Sequence, residues 1–171
     1  RRGLCDIRIA QAIKLACDRV TTAEVYKEEG IIKHDIRALV NCIRAKVSDD
    51  AKPFIHLGAT SFDIIDTANA ARYNDFIGQV FLPALIELET ALIDITRRYA
   101  DTEQIGRTHG QYAEPITFGF AMAEYVSRVG GCIIAIQERA SELVGEFSGA
   151  VGAYNASSIL FDDPEEFEAE V

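Results

Sequence analysis

Residues 82–99, LPALIELETALIDITRRY, and residues 118–136, FGFAMAEYVSRVGGCIIAI, are the two stretches that decide the fold. In the first, apolar residues recur at alternating spacings of three and four, at Leu85, Leu88, Leu92, Ile95 and Tyr99. The second repeats that pattern through Phe118, Met122, Tyr125, Val129, Cys132 and Ile136. Such heptad-like spacing is typical of long helices that pack nearly antiparallel, at a crossing angle of about 20°. The sequence therefore predicts an all-α fold, a long-helix bundle.

Helical periodicity also covers most of the remaining chain. We expect the first long helix to end near residue 101 and the second to run from Pro115 to about Gly145, with a polar loop over 102–114 between them. Further helices are expected over 4–19, 21–29, 34–47 and 61 onward, with a kink or restart at Pro83 and an acidic helix starting near 162–164.

Two features of these elements carry open interpretations. Residues 146–158 form a small-residue loop, which either lets backbone approach a ligand or a neighbouring helix, or is a plain tight connection. The pair Gly130-Gly131 inside the second long helix predicts close approach of another helix. The second helix is apolar on more than one face, which predicts that it needs partners beyond this chain.

Composition excludes several functional classes. The net charge of −10 and the pI of about 4.7 argue against nonspecific nucleic-acid binding, which needs a basic surface. No uninterrupted run approaches 18 apolar residues, so we predict no transmembrane span, and the N-terminus does not read as a signal peptide.

The cysteines and histidines do not form metal-binding patterns. The four cysteines lack a C-x-x-C spacing, so we expect reduced, mostly buried thiols in a cytoplasmic protein. The three histidines, His34, His56 and His109, lack the close spacing of a zinc site. We therefore expect neither a metal nor another cofactor.

The polar stretch 107–115, RTHGQYAEP, is the strongest functional signal. It places His109 between Thr108 and Gln111, and it contains two residues that oppose helix propagation. A solvated histidine in an ordinary connection is the alternative interpretation. A second polar cluster upstream favours a functional site.

That second cluster is residues 56–63, HLGATSFD. Ser61 fits a helix N-cap with Asp63 in the first turn, and this accounts for both residues without any ligand. Capping does not account for His56 or Thr60. A Gly-Ala-Thr-Ser turn before a helix also offers N–H groups and hydroxyls to an anion, so a carboxylate or phosphate ligand is expected. His34, near a helix start, reads on its own as a surface histidine.

Together these segments resemble the fumarase/aspartase superfamily and, within it, the adenylosuccinate lyase family. Residues 108–119 resemble that family's THGQ-x-AEP-x-TFG segment, and residues 56–68 its H-x-G-x-TS-x-D-x-x-DTA segment. Residues 33–35 resemble the [KR]-HD segment, and 148–152 the SGAVG segment. The four segments follow the family's order over residues 28–155.

The chain also departs from the family pattern. Ile32 stands where the family has Thr, and Tyr112 stands where His is frequent. The family's N-terminal Arg-Tyr pair and its C-terminal signature loop with the base serine are not in this chain. We therefore expect a fragment, with 1–58 belonging to an N-terminal helical domain and 59–171 to the first part of the central bundle.

The resemblance implies a C–N lyase that eliminates fumarate from adenylosuccinate and from SAICAR. It implies His109 as general acid and His34 as its assistant, with no metal or cofactor. The remaining residues that it assigns to substrate binding are Lys33, Asp35, His56, Thr60, Ser61, Thr108 and Gln111. It also implies a homotetramer whose sites combine segments of three subunits, so this chain alone would be inactive.

Two other functions stay open. One is a sister enzyme of the argininosuccinate lyase or carboxymuconate cycloisomerase type, although such enzymes typically carry Leu where this chain has Gly110. The other is a non-catalytic helical structural protein, which would not require the three histidines or the Thr-Ser pair. We expect no nucleic-acid or membrane partner.

Overall fold

The computed structural model describes residues 3–170, and most of this backbone is helical. The helices are α1 (Ile7–Cys17), α2 (Thr22–Ile32), α3 (Asp35–Arg44), α4 (Ser61–Phe76), α5 (Leu82–Arg98), α6 (Phe118–Ser141), α7 (Ser157–Leu160) and α8 (Pro164–Glu170). The predicted all-α, long-helix class is confirmed. One small antiparallel sheet, β1 (Glu103–Thr108) with β2 (Gln111–Thr117), is added to it within these residues.

The chain divides into two compact units. The terminal unit comprises the chain up to Ala68 together with the chain from Gly145 onward, and the central unit comprises Asn69–Val144. These units are defined by contacts within the chain, whereas the predicted domains 1–58 and 59–171 are segments of a longer fold. The domain prediction therefore stays a prediction.

The terminal unit is built around α3, whose apolar face is buried. Ile36, Val40 and Ile43 lie one turn apart on α3 and pack with Ala16 of α1 and with Ile55. Ile64 and Ile65 at the start of α4 pack against the same cluster. This core fixes the position of the first turns of α3 and α4, where the two polar segments of this unit lie.

Helix α2 begins where the sequence predicts but ends later than predicted. Thr21 and Glu24 form a reciprocal capping box at its start, as the threonine pair predicts. The expectation that this helix ends at residue 29, before Gly30, is wrong, because α2 continues to Ile32 and ends at Lys33 in the left-handed conformation. Ile32, the residue that departs from the family pattern, is thus the last residue of α2.

The predicted break near Pro83 is confirmed in position. A π-helical turn, Ile77–Phe81, joins α4 to α5, and Pro83 is the second residue of α5. Proline has no N–H to donate to a carbonyl one turn earlier, which suits a position where the helical hydrogen bonding changes from the π to the α pattern. Phe76 and Phe81 stack across this turn, with ring centroids 5.9 Å apart.

Helices α5 and α6 pack against each other in the central unit, with the predicted period but a different phase. Leu88 and Tyr125, both assigned to the seam, are 49% and 55% exposed. At the points of closest approach, Gly119 meets the backbone of Thr96 and Tyr99, and Gly130 meets the side chain of Glu89. The other large residues of the predicted seam stay half-buried, so the shift in phase exposes part of the seam and leaves the rest on the shared face; they are Leu85, Leu92, Ile95, Tyr99, Phe118, Met122, Val129 and Ile136. Close approach of another helix was predicted at Gly130-Gly131, but the backbone contact occurs at Gly119.

The connection between α5 and α6 is a β-hairpin and not the predicted polar loop. Its strands pair from Glu103 with Thr117 to Thr108 with Gln111, with an irregularity between Ile105 and Arg107. Pro115 lies in β2, so α6 begins at Phe118 and not at Pro115 as expected. The sequence missed the strands because residues 103–108 show no alternation of apolar and polar side chains.

The cysteines are free thiols, but the expectation that they are mostly buried is wrong, since Cys17 and Cys132 are exposed and Cys5 and Cys42 are half-buried.

By length and composition alone, the helical run Ser61–Arg98 and the helix Phe118–Ser141 would be long enough and apolar enough to cross a membrane. Core helices of soluble proteins meet the same criterion, so the predicted absence of a membrane partner stays a prediction.

Candidate active site

The segment Lys33-His34-Asp35 forms the junction between α2 and α3. Lys33 has a φ of 58° and ends α2, and His34 is the N-cap of α3. The Nδ1 atom of His34 accepts a hydrogen bond from the Arg37 N–H at 3.3 Å, and it lies 3.3 Å from Oδ1 of Asp35. The first contact requires a neutral ring, whereas an ion pair with Asp35 requires a protonated one.

The segment 56–61 forms the turn that precedes α4. His56 has a φ of 64°, and its side chain is partly covered. Burial lowers the pKa of His56 below its ordinary value, and the charges of Arg37 and His34 lower it further, while Asp63 opposes them. His56 and His34 therefore belong to one electrostatic neighbourhood of the terminal unit. The neutral imidazole of His56 is the favoured form.

Asp63 connects this turn to the small-residue loop. Its side chain is 2% exposed, and Oδ2 accepts from the Thr60 N–H at 2.7 Å. Oδ1 accepts from the Gly149 N–H at 3.0 Å. Helix α4 begins at Ser61, so Ser61 is its first helical residue and not the predicted N-cap. The Thr60 N–H, which we expected to offer itself to an anion, is already bound to Asp63.

His109 lies in the central unit, at the tip of the β1–β2 hairpin. Thr108 pairs with Gln111, which leaves His109 and Gly110 as a two-residue turn with φ values of 51° and 74°. Positive φ at both turn residues is the type I′ pattern that joins twisted antiparallel strands. Glycine at the second position satisfies this requirement at no steric cost. The turn thus projects His109 away from the strands, and its side chain is exposed.

The hairpin also carries a cation near His109. The guanidinium of Arg107 lies 5.6 Å from the ring centroid of Tyr112, which is a cation–π distance. Tyr112 itself is 81% exposed. Its departure from the family's frequent His therefore leaves the hairpin geometry undisturbed.

Backbone strain coincides with the predicted site. In the part of the chain that the structure describes, the non-glycine residues with positive φ are Lys33, His56, His109 and Tyr154. Such conformations cost about 1–3 kcal/mol each and cluster at functional sites. His56 and His109 were singled out from the residues themselves, and Lys33 from the family resemblance.

The predicted residues divide between the two units. The terminal unit holds Lys33, His34, Asp35, His56, Thr60 and Ser61, whereas the central unit holds Thr108, His109 and Gln111. Sequence reasoning missed the second role of Asp63, because an acid in the first turn of a helix reads fully as a cap. Its place in the motif with Thr60 and Ser61 was the available signal. Over residues 3–170 no group of three or more acidic, cysteine or histidine side chains has the geometry to hold a metal ion.

Comparison with known proteins was made for both sequence and structure. A family model described as Lyase matches residues 6–168. The adenylosuccinate lyase of Archaeoglobus fulgidus is 37% identical over 157 residues, which cover 91% of this chain and 34% of that protein. The N-acetyl-S-(2-succino)cysteine lyase of Enterococcus italicus is 31% identical over 133 residues, which cover 77% of this chain and 29% of that protein.

A solved structure matches at nearly full coverage of the chain. The 3-carboxy-cis,cis-muconate lactonizing enzyme of Pseudomonas putida superimposes with a TM-score of 0.82 and 27% identity, covering 99% of this chain and 40% of that one. The chain spans about a third of the length of the curated relatives that it matches. On the extent of the family match and the identity to these relatives, the chain belongs to the lyase family of the fumarase/aspartase superfamily.

Proposed function

We propose that this chain is part of an adenylosuccinate lyase, which eliminates fumarate from adenylosuccinate to give AMP and from SAICAR to give AICAR. The observation that carries the proposal is the Thr108-His109-Gly110-Gln111 turn, in which Gly110 takes the left-handed conformation. A leucine at this position, typical of sister enzymes, would be strained in that backbone. The similarity to curated adenylosuccinate lyases supports the same assignment.

The proposed chemistry needs an acid, a base and carboxylate ligands. A proton leaves the carbon next to a carboxylate, the C–N bond breaks, and the leaving nitrogen is protonated. His109 donates that last proton, and His34 assists it by orienting it or by binding phosphate. By the family resemblance, the base is a serine on a segment outside this chain.

The other predicted residues hold the substrate. Thr60, Ser61 and Gln111 bind the succinyl carboxylates, and donors at these positions stabilise the aci-carboxylate intermediate. His56 lines the nucleotide side, and its lowered pKa fits a neutral contact. The remaining polar contacts come from Thr108, Lys33 and Asp35.

We further propose a cytoplasmic homotetramer whose active sites combine segments of different subunits. The exposure of His109 supports this, because a general acid works best where water is excluded. The free cysteines suit a reducing compartment. On this proposal the 171-residue chain alone is inactive.

Fumarate release by the full-length protein that contains this chain tests the proposed function. Ultraviolet absorbance follows the reaction with adenylosuccinate and, separately, with SAICAR. Rapid release from both supports the proposal. Absence of release from a folded, tetrameric protein overturns it.

A sister lyase is the second candidate, because two proteins with other names match the chain well. Fumarate release from argininosuccinate and from N-acetyl-S-(2-succino)cysteine, and loss of the ultraviolet absorbance of 3-carboxy-cis,cis-muconate as its conjugated diene is consumed, separate the two. A kcat/KM higher on any of these than on adenylosuccinate would favour the sister enzyme.

A further inference from the structure

Asp63 is a buried carboxylate bonded to backbone on two sides. It is the largest fully buried side chain in the described part of the protein. Among residues 3–170 no basic side chain forms an ion pair with it, and its two oxygens instead accept from the N–H groups of Thr60 and Gly149. Buried ionised groups need such partners, because an unpaired charge away from water is strongly disfavoured.

Helix capping accounts for only one of these bonds. The bond to Thr60 satisfies a donor at the start of Asp63's own helix. The bond to Gly149 spans 86 residues of sequence and satisfies nothing in α4. One oxygen of Asp63 therefore serves the turn, and the other holds a distant loop against it.

Neighbouring contacts fix the same loop. One turn further along α4, the Thr67 hydroxyl donates to the Glu146 carbonyl and accepts from the Glu146 N–H. On α8, the Glu168 carboxylate accepts from the Phe147 N–H and from the Tyr154 hydroxyl. Segment 146–149 is thus held from both sides, and within residues 3–170 the hydrogen bonds of Asp63 are the ones that join it directly to the Thr60–Ser61 turn.

We propose that Asp63 is a positioning residue that holds the Thr60–Ser61 turn and the backbone of Gly149 as one wall of the substrate site. This rests on the proposed function, in which Thr60 and Ser61 bind carboxylates of the substrate. Asp63 itself cannot contact substrate while both oxygens are occupied and its side chain is buried. It acts by setting where the Thr60 and Ser61 hydroxyls lie.

Asp63→Asn in the full-length protein is the first test. The amide oxygen can accept from one of the two N–H groups, but the NH₂ faces the other donor, so one hydrogen bond is lost. Loss of a charge-assisted hydrogen bond of this kind predicts an increase of about tenfold in KM, with a smaller effect on kcat. Asp66→Asn is the matched control, since it removes the same charge from an exposed position of the same helix. Its KM is expected to stay within about twofold of the unmodified value.

A double-mutant cycle separates positioning from a merely structural role. If Asp63 acts through the turn, the effects of Asp63→Asn and Ser61→Ala on KM are far from additive. Thr67→Val removes two bonds to the same loop, lowers the Tm, and combines additively with Ser61→Ala. Additive behaviour of Asp63→Asn, or an unchanged KM, overturns the proposal. If Asp63→Asn does not fold, Asp63→Glu takes its place in the cycle, because it displaces the carboxylate by one methylene.

Hydrogen exchange keeps this test independent of the proposed function. Exchange of the amide, Thr60 or Gly149, that faces the new NH₂ group should accelerate in Asp63→Asn, and neither amide should accelerate in Asp66→Asn. Unchanged exchange of both amides overturns the proposal that Asp63 links the turn to the loop, whatever the activity of the enzyme. If adenylosuccinate fails as a substrate while another succinyl compound is turned over, the proposed function falls and the cycle is run with that compound.

Discussion

His109 occupies a left-handed backbone position, and this decides how its role is best tested. Most replacements there would disturb the turn as well as remove the imidazole. Asparagine tolerates a positive φ better than other non-glycine residues, so His109→Asn removes the acid and keeps the turn. We expect kcat of the full-length protein to fall by about 100-fold or more, the usual size of general acid catalysis.

The neighbouring hairpin residue Tyr112 supplies the control for this prediction. Tyr112→Phe keeps the ring beside Arg107 and removes only an exposed hydroxyl, so its kcat should equal that of the unmodified protein. Steady-state kinetics with circular dichroism of each variant gives the comparison. His109→Asn turnover within about threefold of the unmodified protein would exclude His109 as the acid.

His56 predicts a pH dependence of stability at the same scale. Its folded pKa lies below the ordinary value of 6.5, mainly through burial, so below pH 6.5 the unfolded chain binds a proton that the folded chain resists. The unfolded state then holds more protons, and stability is lost as pH falls from 6.5 to the folded pKa. His56→Asn keeps a residue that tolerates the φ of 64° and removes this titration. The fall in Tm between pH 7.5 and 5.5 should be smaller in the variant; an equal fall would contradict the assignment.

At the scale of elements, the sequence predicted helices well and the hairpin not at all. The helix starts at Thr21 and Asp163 were predictable because capping depends on a few adjacent side chains. The strands at 103–117 were not, since their exposed polar side chains carry no period. The pair His109-Gly110 was the remaining clue, as a two-residue turn that tolerates positive φ. Taken as helix breakers, these two residues predict a loop, but they do not predict that the residues on either side pair as strands.

The phase of the α5–α6 seam was equally hidden. Both helices have apolar residues on more than one face, so spacing alone allows several rotations about each axis. The rotation that forms is set by Gly119, where an added Cβ would lie 2.5 Å from the Thr96 carbonyl oxygen and 2.8 Å from that of Tyr99. Closest approach at Gly119 therefore adjusts the rotation of the helices, while most of the predicted seam stays on the shared face.

Gly119 of α6 and Gly30 of α2 give a matched pair of variants. Gly119→Ala would place its Cβ against backbone that cannot move aside, and we expect the free energy of unfolding to fall by about 1–3 kcal/mol. Gly30→Ala meets nothing within 4 Å, and alanine favours helix by up to about 1 kcal/mol, so it should stabilise. Urea denaturation of both variants of the full-length protein measures the difference. Equal stability of the two would mean that α5 and α6 do not approach at Gly119.

At the scale of the whole molecule, the apolar surface outweighs what the chain can bury alone. Helix α5 has no fully buried residue, and in α6 only Gly119 and Ala140 are buried. Large side chains remain exposed on both helices, including Ile86, Leu88, Tyr125 and Ile134. Exposed apolar surface of this extent is typical of interaction sites. In the proposed homotetramer, further copies of the chain would cover part of it.

A charge on the exposed apolar surface of α6 should dissociate the protein and abolish its activity together. Ile134 is 60% exposed in the single chain, so Ile134→Asp leaves the packing within the chain unchanged while placing a charge on the proposed interface. Light scattering of the full-length protein is expected to show four copies before the change and fewer after it. Activity should fall in parallel, because each proposed site needs segments from several subunits. Arg128→Gln makes the same change in charge on another side of α6 and should leave both properties intact. A fully active dissociated Ile134→Asp protein would instead place every residue of the site within one chain.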